Sequence, residues 1–263
     1  MEDAASLSGQ HVLVTGAAQG IGLAIAAAFL DAGASVTIVG RNAERLAGAA
    51  AELRAGHGQA KLFEGVADLT DADQISAAFA AAVAAQGPIT VLVNNAGASG
   101  AVPFAKMDEA HFSAMMDANV RSTFLCSKAV VGDMLAAGTG RIINIASTAG
   151  LKGYAYVASY CAAKHAVVGL TRALAIELAR KGVTVNAICP GFVETPMTVE
   201  SVRNIMEKTG RTEEQARADL AAMNPQKRLV QPDEIATMAV QLALPAAGGI
   251  NGQVIAIDGG ETA

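Results

Sequence analysis

Short apolar runs rich in β-branched residues alternate with alanine-rich segments along the whole chain. The short runs predict strands at His11–Thr15, Ser35–Val39, Lys61–Val66, Ile89–Val93, Ile142–Ala146, Thr184–Ile188 and Val254–Ile257. The longer segments predict helices near Ile21–Ala32, Glu44–Ala55, Asp71–Gln86, His111–Ala136, Ser159–Arg180 and Asp233–Leu244. Several strands are almost entirely apolar, which is typical of parallel strands covered on both faces. The alternation predicts an α/β fold, a single-domain Rossmann-type doubly wound parallel sheet of about seven strands flanked by helices.

One charged stretch interrupts this alternation. The residues from about Thr195 to Lys227 lie between two βα units and predict two short amphipathic helices. An insertion of this length in a compact domain commonly serves as a lid or a binding segment, and the alternative is a solvated helical decoration. We find no linker and no repeat elsewhere. Residues 1–263 are therefore expected to form one domain with a substrate lid at about 195–227.

Composition and charge exclude several classes of protein. Apolar residues make up 52% of the 263 residues and charged residues 16%, whereas disordered chains combine low hydrophobicity with high charge. The formal net charge of −5 argues against a nucleic-acid partner, which usually requires a basic excess. The uncharged stretches His11–Leu30 and Gln74–Ala105 are long enough to span a membrane, but glycine and other polar residues interrupt both. Since Met1–Ala4 lacks the positive region of a signal peptide, we expect no membrane association and a cytoplasmic location.

The cysteines and histidines show no ligand spacing. Cys126, Cys161 and Cys189 are odd in number and far apart, which argues against a disulfide framework and against a zinc site. We expect them to be buried free thiols, and we expect no catalytic metal.

A glycine-rich turn follows the first predicted strand directly and leads into a helix. Glycines at such a turn allow a tight bend, the close approach of a pyrophosphate and close packing of the helix on the strand. The phosphates then lie at a helix N-terminus, where free N–H groups and the helix dipole favour anions. The candidate dinucleotide-binding residues of this turn are Gly16, Gln19, Gly20, Ile21 and Gly22.

The end of the second predicted strand bears on the choice of cofactor. Folds that bind NAD commonly place an acidic residue here, whereas an arginine accommodates the 2′-phosphate of NADP. Gly40 stands at the expected position of the acid, and Arg41 follows it. The sequence therefore predicts a preference for NADP(H), with NAD(H) as the alternative.

The most specific constellation consists of Ser147, Tyr160 and Lys164. Tyr160 and Lys164 are four residues apart in a helical pattern, so their side chains share one face of the helix. A phenol has a pKa of about 10 and needs a nearby cation to exchange protons near neutrality. The pair alone is a weak signal, but Ser147 precedes Tyr160 by thirteen residues and Asn94–Gly97 ends the fourth strand.

Together these motifs resemble those of the short-chain dehydrogenase/reductases over essentially the whole chain. The matching pieces are Thr15–Gly22, Asp68, Asn94–Gly97, Asn119, Ser147, Tyr160, Lys164, and Pro190-Gly191 with Thr195. The resemblance implies that Tyr160 is the general acid/base and that Ser147 hydrogen-bonds the substrate oxygen. It also implies that Lys164 binds the nicotinamide ribose and lowers the pKa of Tyr160, while Asn119 holds a water of the proton relay.

The resemblance extends to cofactor binding and to assembly. It implies that Asp68 meets the adenine. The other positions implied for cofactor binding are Asn95, Ala96, Gly97, Tyr160, Lys164, Pro190, Gly191, Val193 and Thr195, of which Pro190 to Thr195 hold the carboxamide end. A homotetramer is implied as well, and apolar residues on more than one face of segments 111–136 and 159–180 favour it.

Within the family, Gly138–Gly150 and Ala163–Met197 look similar to aromatic polyketide ketoreductases, 3-oxoacyl-thioester reductases and 3-hydroxyacyl-CoA dehydrogenases. The chain departs from the polyketide enzymes at Ala98–Ala101, where they carry Pro-Gly-Gly. Acyl-carrier-protein reductases tend to carry basic residues near two positions, which here are Gly138 and Lys181.

The expected function is that of an NADP(H)-dependent oxidoreductase that interconverts a ketone and a secondary alcohol. The expected substrate is a 3-oxoacyl thioester, linked to CoA or to a carrier protein, or a similar β-keto compound. One alternative is an NAD-dependent secondary alcohol or 3-hydroxyacyl-CoA dehydrogenase that works oxidatively. Another is a non-catalytic dinucleotide-sensing module, which would be expected to lack Tyr160 or Lys164.

Overall fold

The computed structural model describes residues 6–58 and 60–263, which build a parallel sheet covered by helices on both faces. Its strands are β1 (His11–Thr15), β2 (Ser35–Gly40), β3 (Leu62–Val66), β4 (Val91–Asn94), β5 (Gly140–Ile145), β6 (Val183–Pro190) and β7 (Val254–Ile257). They pair in the order β3-β2-β1-β4-β5-β6-β7, and every pairing is parallel. The predicted Rossmann-type α/β fold is confirmed. The expectation about a signal peptide concerns Met1–Ala4, which lie outside the described residues.

The helices are α1 (Gly20–Asp31), α2 (Ala43–His57), α3 (Ala72–Gln86), α4 (Glu109–Met116), α5 (Ser122–Ala137), α6 (Ala158–Leu178), α7 (Pro196–Thr209), α8 (Glu213–Met223) and α9 (Pro232–Ala243). Helices α1, α2 and α9 pack on one face of the sheet and share one apolar core with it. Helices α3, α5 and α6 bury a second core against the other face. This two-sided burial explains why the strands are apolar along their whole length.

The carboxyl ends of the strands converge because all of the strands run in the same direction. Strand β1 lies between β2 and β4. The strand order therefore extends to one side of β1 through β2 and β3, and to its other side from β4 to β7. In such sheets the crevice at the switch point is the usual place for a ligand. The Thr15 hydroxyl accepts hydrogen bonds from the backbone N–H groups of Asn95 and Ala96, both at 3.0 Å, and ties the ends of β1 and β4 together.

The single helix predicted over His111–Ala136 contains an irregular turn. Helix α4 ends at Met116, a π-helical turn covers Asp117–Arg121, and α5 begins at Ser122. The side chain of Asn119 donates from Nδ2 to the carbonyls of Met115 and Ala98, both at 2.9 Å. Such π turns are frequent at functional sites. The wider turn holds Asn119 at the same edge as the strand ends.

A buried polar chain lies beneath this edge of the sheet. Asn94 of β4 donates from Nδ2 to Asn144 Oδ1 at 2.9 Å and to Ser127 Oγ of α5 at 3.0 Å. Asn144 of β5 in turn donates to Thr171 Oγ1 of α6 at 2.9 Å. These bonds join two strands to two helices. Buried polar groups of this kind are costly to leave unpaired, so the chain fixes the positions of its elements.

The charged insertion folds as the two amphipathic helices that the sequence predicted, α7 and α8. They enclose a small apolar cluster of their own, which includes Val202, Ala216 and Leu220. An ion pair of 2.5 Å between Arg217 of α8 and Glu194 connects the insertion to the segment that follows β6. The insertion therefore has its own packing and a defined attachment to the sheet.

Two expectations from composition concern the cysteines and membrane-spanning helices. The thiols of Cys126, Cys161 and Cys189 are all buried, and burial raises the pKa of Cys126 to about 12. Among residues 6–58 and 60–263, no helix combines the length and the apolar character that crossing a bilayer requires.

Candidate active site

The converging strand ends enclose a cavity of about 450 Å³. Most of its lining is small or apolar. The structure brings eleven of the predicted site residues to its wall, namely Ile21, Asn95, Gly97, Asn119, Ser147, Tyr160, Lys164, Pro190, Gly191, Val193 and Thr195. Residues that are up to 174 positions apart in sequence thus meet at one place, because each follows a strand or begins the next helix.

Lys164 and Tyr160 lie one turn apart on α6, as their spacing predicted. The Lys164 side chain is buried, its Nζ donates to the carbonyl of Ile145 at 2.9 Å, and the same atom lies 5.7 Å from the centre of the Tyr160 ring. Burial disfavours the charged form and lowers the pKa of Lys164 to about 8. The ammonium is still the dominant form at pH 7.

The acidity of Tyr160 depends on its surroundings in the fold. Burial raises the pKa of Tyr160 to about 12, and a hydrogen bond with the Ser147 hydroxyl opposes the rise only in part. A phenolate in this environment loses more hydration than it recovers from its neighbours. Tyr160 is therefore protonated at neutral pH, with a hydroxyl that faces the cavity and can donate its proton.

Ser147 owes its position to the end of β5. Its Oγ accepts a hydrogen bond of 3.1 Å from the backbone N–H of Ala149 and caps the short 3₁₀ turn Thr148–Gly150. A Cβ at Gly150 would lie 2.8 Å from the carbonyl oxygen of Lys164, so only glycine lets this turn pack against α6. The close packing places the Ser147 hydroxyl beside Tyr160.

Asn119 is almost fully buried at the cavity wall. Its Nδ2 group is committed to two carbonyls, as described above, while its Oδ1 atom has no hydrogen-bond partner within the part of the chain that the structure describes. An unpaired buried amide oxygen is costly and favours a donor such as a water molecule.

A second cavity of about 360 Å³ adjoins the first and shares wall residues with it, including Ile21, Asn95, Gly97 and Thr195. Other predicted residues line this second cavity, namely Gly16, Gln19, Gly20, Arg41, Asp68 and Ala96. The two cavities together form a groove that runs across the switch point of the sheet, from the end of β2 to Tyr160.

The residues of this groove fit a dinucleotide. Gly16 and Gly20 adopt φ values of +65° and +57°, and a Cβ at Gly16 would lie 2.8 Å from the Cα of Ala96. The N-cap residue Gln19 makes no side-chain bond to the first turn of α1, so the turn presents its N–H groups to the groove. This is the arrangement that binds pyrophosphate at a helix N-terminus.

Gly22 is the one predicted cofactor residue that lines neither cavity. A Cβ at this position would overlap the side chain of Asn95 and the carbonyl oxygen of Gly16. Its role is to let α1 pack against the ends of β1 and β4. Gly22 thus contributes to the groove through helix packing.

The far end of the groove contains two arginines. Arg45, which the sequence analysis did not single out, lines the cavity together with Arg41, from which it is four residues away. Arg45 lies in the first turn of α2, which begins just after Arg41, and a second basic residue so close to the end of β2 is the signal that could have identified it. The Asp68 carboxylate accepts from the N–H and the hydroxyl of Thr70, and these two bonds hold its pKa below the usual value, with a smaller contribution from Arg41.

Comparisons with known proteins agree with this geometry. Residues 10–205 match the family described as short chain dehydrogenase. A protein of Streptomyces violaceoruber, named as ketoacyl reductase 1 of the granaticin polyketide synthase, is 44% identical over 252 residues, which are 94% of this chain and 91% of that one. The 3β-hydroxysteroid dehydrogenase of Mediterraneibacter gnavus is 36% identical over 262 residues, with 95% of this chain and 94% of that one covered.

A solved structure is similar over the full length. The crystal structure of a variant of actinorhodin polyketide ketoreductase with NADPH superimposes with a TM-score of 0.93 at 39% identity, and covers 100% of this chain and 99% of that one. The resemblance that the motifs indicated is confirmed, and polyketide ketoreductases are among the relatives. The chain belongs to the short-chain dehydrogenase family and is an oxidoreductase that acts on CH–OH groups.

Proposed function

We propose that this protein is an NADP(H)-dependent reductase that interconverts a ketone and a secondary alcohol. The observation that carries the proposal is the meeting of Ser147, Tyr160 and Lys164 at the wall of one cavity. The proposed substrate is a 3-oxoacyl thioester, linked to CoA or to a carrier protein, or a similar β-keto compound. The small and apolar wall suits an acyl chain, and the relative named as a ketoacyl reductase supports this choice.

The nicotinamide, when bound, supplies or accepts the hydride. Tyr160 then provides the proton for the substrate oxygen, because its raised pKa keeps the hydroxyl protonated. Ser147 donates a hydrogen bond to the same oxygen and orients the carbonyl. Lys164 places a positive charge beside Tyr160 and the ribose, and it opposes the build-up of negative charge as the proton leaves. Asn119 holds a water that can resupply the proton.

The proposed binding mode of the cofactor follows the groove. Arg41 and Arg45 would hold the 2′-phosphate, Asp68 would meet the adenine, and the turn from Gly16 to Ile21 would hold the pyrophosphate. The segment from Pro190 to Thr195 would hold the carboxamide. The NADPH in the structure of the actinorhodin ketoreductase variant supports a phosphorylated cofactor.

The insertion is proposed to act as the substrate lid of this domain. Met197, Thr198 and Ser201 of α7 and Met223 of α8 line the cavity above Tyr160. Methionines adapt their shape to different apolar ligands. Movement of α7 and α8 would therefore admit the substrate and then exclude water from it.

The principal alternative is an NAD-dependent dehydrogenase that works oxidatively on a secondary alcohol or a 3-hydroxyacyl-CoA. The relative named as a 3β-hydroxysteroid dehydrogenase favours it. A non-catalytic dinucleotide-sensing module is the other alternative, and the presence of Tyr160 and Lys164 at the cavity argues against it. The three are distinguished by adding ethyl acetoacetate or acetoacetyl-CoA together with NADPH or, separately, with NADH, and by measuring the fall in absorbance of each cofactor. The proposed reductase consumes NADPH faster, the NAD-dependent enzyme consumes NADH faster, and the non-catalytic module consumes neither.

A first prediction concerns the proton donor. Tyr160→Phe removes only the hydroxyl, so kcat for ketone reduction should fall by about 10²–10⁴-fold while the Kd for NADPH changes little. Steady-state kinetics and NADPH titration measure the two effects. The matched control is Tyr156→Phe, because Tyr156 is exposed and does not line the cavity. A Tyr160→Phe enzyme that keeps more than about a tenth of its kcat would show that another group moves the proton.

A second prediction concerns cofactor choice. The wild-type protein should have a higher kcat/KM for NADPH than for NADH, and Arg41→Ala and Arg45→Ala should each lower the value for NADPH by about 10–100-fold, as expected for a charge-assisted bond. The value for NADH should change little. Arg54→Ala is the control, because Arg54 lies on the same helix and pairs with Glu64 outside the groove. Equal or better use of NADH by the wild type would refute the cofactor proposal.

The buried lysine makes stability depend on pH. Its pKa of about 8 in the folded state is below the value of 10.5 for a free lysine, so the unfolded chain binds more protons between these two values. Stability should therefore rise as the pH increases through this window. Between pH 7 and pH 10, the free energy of unfolding of the wild type should rise by about 2 kcal/mol more than that of Lys164→Met.

Urea denaturation at the two pH values measures this gain, and the exposed Lys208→Met is the control. Parallel changes of the wild type and Lys164→Met with pH would show that the Lys164 ammonium is not destabilised by burial.

We also propose a homotetramer. Large apolar side chains are exposed on the helices whose patterning indicated an interface, including Phe112 of α4, Phe124 of α5 and Ile176 of α6, the last 82% exposed. A second copy that covers them removes apolar surface from water. Light scattering at micromolar concentration should give four times the chain mass of 26.5 kDa. A monomer under these conditions would contradict the assembly.

A further inference from the structure

A buried carboxylate lies behind the cavity wall, in the turn that follows β7. The Glu261 side chain is only 3% exposed, and its Oε1 atom is 3.0 Å from Lys152 Nζ and 2.5 Å from the Tyr154 hydroxyl. Asp258 holds this turn in place, because its carboxylate accepts from the backbone N–H groups of Gly260 and Thr262, both at 2.9 Å. Glu261 is thus a fixed acceptor in contact with Tyr154.

The hydroxyl of Tyr154 has two neighbours but only one proton. Thr148 Oγ1 lies 2.7 Å from it on the other side. A carboxylate paired with a lysine can only accept hydrogen bonds, so the Tyr154 proton is donated to Glu261. The 2.7 Å contact must then use the proton of Thr148. Burial is the main cause that raises the pKa of Tyr154, and the smaller effects agree with this direction, since the bond to Glu261 raises the pKa and the bond with Thr148 lowers it.

The direction of these hydrogen bonds determines whether the Thr148 hydroxyl can donate to a ligand or accept from it. Thr148 lines the cavity and directly follows Ser147 in the sequence. Its proton is committed to Tyr154, so its remaining lone pair can only accept. Across residues 6–58 and 60–263 no other group donates to this hydroxyl. Thr148 is 3% exposed, and the lone pair that its hydroxyl keeps beside the bond to Tyr154 can accept from a ligand that supplies a donor.

We propose that Glu261, acting through Tyr154, fixes the Thr148 hydroxyl as an acceptor and thereby selects ketones that carry a hydrogen-bond donor, such as hydroxyketones. The proposal rests on the proposed function of the site as a carbonyl reductase. Thr148 contacts the substrate, whereas Tyr154 and Glu261 are positioning residues. Ser147 and Tyr160 donate to the ketone oxygen and Thr148 accepts from the hydroxyl, so the wall distinguishes a hydroxyl from an ether.

The test uses two matched pairs of ketones with NADPH, hydroxyacetone with methoxyacetone and benzoin with benzoin methyl ether. Within each pair the donor is replaced by a methyl ether while the ketone is kept. The measured quantity is the ratio of kcat/KM for the hydroxyketone to kcat/KM for its ether. A general loss of structure lowers both values together, so the ratio reports specificity alone. For the wild type we expect a ratio of about ten in at least one pair, as expected for one hydrogen bond.

Three variants each interrupt the proposed series of hydrogen bonds from Glu261 through Tyr154 to Thr148 at a different residue. Thr148→Val removes the acceptor, and Tyr154→Phe leaves the Thr148 hydroxyl free to donate or to accept. Glu261→Gln keeps the shape of the side chain, but its amide can donate to Tyr154 and so permits the opposite direction. Each should bring the ratio to within about twofold of one. The exposed controls Thr237→Val, Tyr156→Phe and Glu52→Gln should keep the wild-type ratio.

A wild-type ratio near one in both pairs would overturn the proposal, and so would a ratio that survives in Thr148→Val. A wild-type ratio in both Tyr154→Phe and Glu261→Gln would overturn the role of Tyr154 and Glu261 as positioning residues. If the wild type reduces none of the four ketones, reduction of ethyl acetoacetate decides whether the proposed function itself stands, and binding then decides this proposal. With NADPH present, benzoin should raise the Tm of the wild type more than its ether does, and this difference should vanish in Thr148→Val. Equal shifts in the wild type, or none, would overturn it.

Discussion

The Lys164 ammonium is held between α6 and the end of β5, where it donates to a strand carbonyl and lies beside the ring of Tyr160. Burying this charge is unfavourable, as the lowered pKa of the lysine shows. The surrounding structure must therefore be rigid enough to impose the position. The polar chain from Asn94 through Asn144 to Thr171 meets that requirement, because it joins β4, β5 and α6 directly beneath the site. The site and the parallel sheet consequently depend on the same contacts.

Much of the fold follows from local patterns in the sequence. The two periodicities of strand and helix identify the elements, and the parallel direction then brings together the ends of β1, β4, β5 and β6. Tyr160 and Lys164 follow from helical spacing alone. The glycine-rich turn follows from its position between β1 and α1. These inferences succeed because each depends on neighbours in the chain or on a rule of sheet topology.

The features that the sequence did not reveal depend on packing between distant segments. The pKa of Tyr160 is raised by the burial of its hydroxyl among distant segments of the folded protein, which no local pattern reports. The π turn at Asn119 inserts one residue into a helix and barely alters the apolar period. Glu261 meets Tyr154 across 107 positions, from a turn without any motif. Gly22 illustrates the reverse, since its motif is clear but its contact is with the protein.

The small apolar cluster inside the insertion has a consequence for how such a protein can change over time. Val202, Ala216 and Leu220 stabilise α7 and α8 largely apart from the two cores that flank the sheet. Substitutions on the cavity side of these helices can accumulate at little expense to the stability of the sheet. The groove with its arginines and Tyr160 can meanwhile stay constant. Inherited variation can thus reshape the cavity while the residues around Tyr160 are preserved.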